Sequence, residues 1–172
     1  MRARLAAMHA RGPDGALAPI PFEVPQEPEF QMGGGGLYGT APDYLRFVRM
    51  LMGGGELDGA RVLKPETVAL MARNHIGDLK VGLLRTALPA YSNDAEFFPG
   101  MEKRWGLSFM LNMADVPGGR RAGSLAWAGL GNTYFWADLK GKRGGVLMTQ
   151  LLPFADAAVL GLLDALEQGA YA

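Results

Sequence analysis

Residues Gly123–Asp138 read GSLAWAGLGNTYFWAD. Two short runs rich in small and aromatic residues meet at a corner bracketed by Gly129 and Gly131, with Trp127 just before it. Such runs, broken by glycine, predict two strands joined by a tight connection. Glycine at a strand end also lets another group approach the backbone. What comes close there is the question the rest of the chain must answer.

The same pattern extends outward. From Trp105 the apolar period becomes two, and WGLSFMLNM, GSLAWAGL, NTYFWADL and GVLMTQLL read as four successive strands. Their links, ADVPGGRRA, the glycine corner and KGKRGG, are short, which predicts antiparallel pairing. PFADAAVLGLLDALEQG then predicts a closing helix, with Pro153 and Asp156 at its start. Val159, Leu162, Leu163 and Leu166 would form its apolar stripe and Gly169 its stop. Upstream, Thr40 caps a helix, Pro42 and Asp43 suit its first turn, and Gly53–Gly55 end it. Tyr44, Leu45, Phe47, Val48 and Leu51 share one face of that helix. Asp58-Gly59 marks a tight turn, and Pro65 opens a second helix with Val68, Leu70 and Met71 inward. Residues 1–10 predict a brief helix ended by Gly12-Pro13, and Pro13, Pro19, Pro21, Pro25 and Pro28 predict an extended lead-in. The organisation is therefore a lead-in over 1–32, helices and loops over 33–104, strands over 105–152 and a helix over 153–169. The fold class is α+β: helices, then an antiparallel sheet, then a C-terminal helix packed on it.

Composition excludes several function classes. The chain has 172 residues, enough for one domain or a piece of a larger one, and is 49% hydrophobic. Its 17 basic and 17 acidic residues cancel, so no charge excess favours nucleic acid. No cysteine is present, which removes disulfides, thiolate metal sites and cysteine nucleophiles. Two isolated histidines, His9 and His75, do not make a metal site, and no cofactor is expected. Gly33–Gly36 lacks the strand and the Gly-Lys-Ser/Thr ending of a phosphate loop. No apolar run approaches the roughly 20 residues of a membrane span. The N-terminus, broken by Arg4 and His9, does not read as a signal peptide, leaving the cytoplasm as the default compartment.

A nucleophile site is not recognisable. Of the three serines, Ser92, Ser108 and Ser124 have Ala95, Leu111 and Trp127 at i+3, so none forms Ser-x-x-Lys, and the five threonines fail likewise. No Gly-x-Ser-x-Gly elbow exists either. Tyr91-Ser92-Asn93 has the Tyr-x-Asn form of a proton-transfer motif, but lies 34 residues before Trp127.

GSLAWAGLGNTYFWADLKGKRGGVLMTQLLPFAD, with GGGGLYGTAPDYLRFVRMLMGGGELDGARVLKPETVALM and SNDAEFFPG…RWGLSFMLN before it, resembles the C-terminal part of the serine β-lactamase and penicillin-binding-protein-like superfamily. Within that superfamily the stretches most resemble the class C-like, family VIII carboxylesterases. The resemblance implies a site of three motifs: Ser-x-x-Lys as nucleophile and base, Tyr-x-Asn or Tyr for proton transfer, and Lys-Thr-Gly or Trp-x-Gly on a strand. The third maps onto Trp127-Ala128-Gly129. The second belongs far upstream of that strand, so Tyr91-Ser92-Asn93 is not expected to be a site. By the same resemblance Trp127, Ala128, Gly129 and Asn132 would bind substrate. The Leu130 amide would be one oxyanion donor, an interaction worth roughly 3–4 kcal/mol. Trp and Ala in place of Lys and Thr remove the groups that hold a β-lactam carboxylate and favour a neutral acyl ester. Without the resemblance, Trp127 reads as a core aromatic.

Two functions follow. The chain is either the C-terminal portion of a serine ester hydrolase, inactive alone, or a non-catalytic binding or assembly module on the same scaffold. In the first case Met1 is a truncation, an internal start or a proteolytic product. An open sheet edge and an uncovered helix face would then await a partner fragment or a second copy.

Overall fold

Thr40 begins the first long helix. In the computed structural model, which describes residues 2–172, its backbone is extended and its hydroxyl accepts the Asp43 amide at 3.3 Å. That satisfies one of the donors a helix start leaves open. Helix α1 runs Ala41–Met52 and buries Val48, Met50 and Leu51. It closes at Gly53, where a side chain would overlap the carbonyl of Glu56. The chain then turns through a hairpin formed by β1 (Glu56–Leu57) and β2 (Ala60–Arg61). Asp58 and Gly59 take the two left-handed conformations, φ +50° and +79°, that a two-residue turn of this hand needs. Helix α2 (Pro65–Met71) follows, with Val68 buried.

A five-stranded sheet forms the centre. Its strands are β3 (Lys103–Trp105), β4 (Met110–Asn112), β5 (Leu125–Gly129), β6 (Thr133–Asp138) and β7 (Arg143–Leu147). They lie side by side in chain order, every neighbour antiparallel, as the short links predict. Alternate residues face opposite sides. Leu125 and Ala137 join Val48, Leu51 and Val68 in the core under α1 and α2. Ala126 and Trp136 join Val159 and Leu163 in the core under helix α3 (Ala157–Tyr171). The α+β arrangement with a C-terminal helix on the sheet is the one expected. Asp156 caps α3, its carboxylate accepting the Ala158 and Val159 amides at 3.1 and 3.2 Å. Gly145 gives room to Trp136, whose fully buried indole occupies the space a side chain there would need.

Four local expectations are corrected. The helix expected over residues 1–10 does not form across the described residues 2–10: after a 3-10 turn at Arg2–Arg4, His9–Arg11 is a strand. It pairs antiparallel with Leu17–Pro19 and parallel with Leu151–Leu152. The partner is about 140 residues away, beyond any local pattern. WGLSFMLNM is a hairpin rather than one strand. Ser108 takes φ +71° and the Gly106 amide donates to the Phe109 carbonyl, folding β3 back onto β4. GVLMTQLL also divides: Thr149 Oγ1 donates to the carbonyls of Gly131 and Asn132, and Leu151–Leu152 leaves the main sheet to meet His9–Ala10. Finally, α3 continues past Gly169. Its inward positions are Val159, Leu163 and Glu167, while Leu162 and Leu166 face outward, as does Leu70 on α2. Glu167 is buried because Arg120 meets it there, at 2.9 and 2.5 Å.

Candidate functional site

The corner between β5 and β6 is built by pairing register. Gly129 lies opposite Thr133, leaving Leu130, Gly131 and Asn132 as a three-residue connection. Asn132 closes it at φ +56°, a conformation asparagine tolerates better than most residues. Its side chain is fully buried. The amide donates to the carbonyls of Leu151 and Pro153, both at 2.8 Å, and the oxygen accepts from Tyr134 Oη at 2.8 Å and the Asp156 amide at 3.0 Å. Two donors and two acceptor positions exhaust its capacity. Asn132, expected at the substrate, therefore faces inward and has no surface open to one. Burial pushes the Tyr134 hydroxyl up to about 12, so it remains a donor at neutral pH.

Leu130 turns the other way. The residue is 45% exposed, and its amide finds no acceptor among the described residues. Gly129 has a local reason to be glycine, since a Cβ there would collide with Thr133 Oγ1. Trp127 is half-buried. Its ring stands edge-on to Trp105, with centroids 4.5 Å apart at 84°, and lies 6.3 Å from the Phe97 ring. Ala128 is half-buried beside it. The strand end thus brings Trp127, Ala128, Gly129 and Leu130 together and places Asn132 behind them.

The other candidates have structural duties. Asn93 donates its backbone amide to the Phe154 carbonyl at 2.9 Å and its side-chain amide to the Ala155 carbonyl at 3.2 Å. Ser92 Oγ donates to the Asn93 carbonyl, and Ser124 Oγ to the Arg121 carbonyl. His75 Nε2 donates to the Leu70 carbonyl at 2.8 Å, and His9 Nδ1 to that of Ala7 at 3.0 Å. Among the described residues, no group of His, Asp or Glu side chains is placed to hold a metal ion.

The profile described as Beta-lactamase matches residues 2–169. The chain belongs to the Beta-lactamase family. It is 38% identical over 122 residues to the Mycobacterium tuberculosis protein Rv1367c, covering 64% of this chain and 27% of that protein. It is 29% identical over 163 residues to the acyltransferase calJ of Penicillium decumbens, covering 93% of this chain and 38% of calJ. Among solved structures, simvastatin synthase LovD of Aspergillus terreus superposes with a TM-score of 0.76 at 21% identity, over 99% of this chain and 42% of LovD. A penicillin-binding protein homologue from Caulobacter crescentus gives 0.51 at 21% identity, over 76% of this chain and 31% of that one. The Beta-lactamase family chain described here thus spans less than half the length of these relatives.

Sequence reasoning missed what surrounds Trp127. Phe97 and Trp105 touch it, but Phe97 lies in an irregular stretch with no period to read. The pair of aromatics in AEFFPG was the available signal.

Proposed function

We propose that this chain carries one wall of an acyl-transfer site, with Trp127, Ala128 and Gly129 facing a neutral ester and the Leu130 amide donating to its carbonyl oxygen as charge develops there. The observation that carries this is the Leu130 amide, which has no acceptor among the described residues at the end of a Trp-x-Gly strand. Donors held ready in this way stabilise a developing oxyanion without reorganising during reaction. The acceptor of the acyl group is water in an esterase and an alcohol or amine in an acyltransferase. The strand serves both, and the similarity to the acyltransferase calJ supports the transfer chemistry. A nucleophile with Ser-x-x-Lys spacing does not occur in these 172 residues, so a second segment, on the same chain or another, has to supply it.

Native mass spectrometry of the purified material, then denaturing mass of the same sample, tests for such a segment. Turnover of p-nitrophenyl acetate is expected only where a second polypeptide or a longer chain is present. Hydrolysis by the pure 18.4 kDa species would contradict the reading. So would an amide spectrum in which short neutral esters move neither Leu130 nor Trp127.

A second reading, a non-catalytic binding or assembly module, has its own support. Gly129 and Asn132 are accounted for by Thr133 and by residues 151–156, so the corner needs no substrate to explain its composition.

A further inference from the structure

Two cations converge on one strained residue beside Trp127. Phe98 holds φ +49°, in the left-handed region that bulky side chains rarely enter. Such a conformation persists only where its surroundings over-determine it, and it collects at ligand sites. Lys103, 2% exposed, donates from Nζ to the carbonyls of Phe98 and Met101, each at 3.1 Å, with Glu96 Oε1 at 3.8 Å. On the other side the Arg120 guanidinium lies 5.1 Å from the Phe98 ring centroid and 5.3 Å from that of Trp136, and is paired with Glu167. One cation thus grips the backbone of Phe98 and another its ring.

The consequence falls on Phe97. Its ring lies 6.3 Å from Trp127, 6.2 Å from Tyr134 and 6.4 Å from Phe154, at the hub of an aromatic cluster. Phe97, Phe98, Met110, Trp127, Tyr134 and Leu163 line a cavity of about 20 Å³, with Arg120 also in its wall. That space suits one group the size of a water or a methyl, and its walls are predominantly apolar.

We propose that Phe97 closes an acyl subsite behind Trp127, that Lys103 and Arg120 are the positioning residues that hold it closed, and that the site therefore takes only short acyl groups. This rests on the reading of Trp127 as a site wall. Phe97 sets the length limit by filling the space a longer chain needs.

The test uses the 172-residue chain, labelled with nitrogen-15 and titrated with ethyl acetate, ethyl butyrate and ethyl hexanoate. The Leu130 amide and the Trp127 indole N–H report binding. Affinity in the wild type is expected to fall about tenfold from acetate to hexanoate, the discrimination that a few methylenes support in a closed apolar pocket. Phe97→Ala should flatten or reverse that order. Phe97→Leu, which leaves less of a cavity, should do so in part and keeps the test open if the alanine variant does not fold. Lys103→Met should flatten the order while amides of β6 and α3 stay in place. An unchanged chain-length order in both Phe97 variants, with Leu130 and Trp127 still responding, overturns the subsite and spares the strand-end reading. No response of Leu130 or Trp127 to any ester overturns both.

Discussion

The side chain of Asn132 donates twice and accepts twice, and each bond ties the β5–β6 corner to residues 134–156. Removing it orphans several buried partners at once, and each such group costs about 1–3 kcal/mol. Asn132→Ala is expected to lower stability by about 3 kcal/mol or more in urea unfolding. Asn132→Asp keeps the shape but sets a carboxylate against the Leu151 and Pro153 carbonyls. It should lose more stability at pH 7 than at pH 4, where protonation restores a donor. Equal losses at the two values would mean that the carbonyls do not sense this side chain. Gly145 makes the complementary case. A methyl there meets the Trp136 indole in a packed core, so Gly145→Ala should cost about 1–3 kcal/mol.

Helix α3 is held by two ion pairs of different kinds. Arg120 and Glu167 are both about 95% buried, and the Arg120 amide also donates to Glu167 Oε1 at 2.8 Å. Cutting one partner strands the other charge. Glu167→Ala is expected to cost about 3–5 kcal/mol, whereas the double replacement Arg120→Met with Glu167→Leu should come close to wild type. A single mutant as stable as the double would refute the pairing. At the other end, Asp156 accepts Arg11 Nε at 2.5 Å and caps the helix. The Arg11 hydrogen bond outweighs burial and, with the Val159 and Ala158 amides, holds the Asp156 carboxyl below its ordinary 3.8. Its folded value is depressed, so the stability it confers is present above that ordinary value and is lost as pH falls through the folded one. Asp138 behaves alike. Burial raises it, but the Gly141 amide, Tyr171 hydroxyl, and Arg121 and Lys140 amides together bring it down. Acid unfolding should steepen below about pH 4, and Arg11→Met should remove part of that slope.

The whole molecule has surfaces that its own chain does not cover. β3 and β7 end the central sheet, yet α1 and α3 both pack on β7, which gives an edge strand the two-sided cover of an interior one. Leu162 and Leu166 add exposed apolar area on α3, at 58% and 42%. Free edges and apolar stripes of this kind recruit a partner or a second copy. Sedimentation velocity should therefore show mass rising with concentration, and Leu162→Glu with Leu166→Lys should reduce it. A monomer at every concentration would contradict this account of the edge.

Caps, turns and strand periods were legible in the sequence because each is settled within a few residues. Thr40 with Asp43, the Asp58-Gly59 turn, Asp156 at the start of α3 and the antiparallel order of the strands all follow from local chemistry. So did the placing of Trp127-Ala128-Gly129 at a strand end, with Leu130 just past it. What depended on distant partners was not legible. His9–Arg11 is a strand only because Leu151–Leu152 arrives beside it. Glu167 is interior only because Arg120 reaches it. Asn132 faces the core because Leu151, Pro153 and Asp156 surround it, and Phe97 reaches Trp127 because two buried cations hold its loop. Sequence sets which residues can turn, cap or alternate. Only the tertiary structure decides which polar and aromatic groups meet, since burial free energy depends on partners the local pattern does not contain.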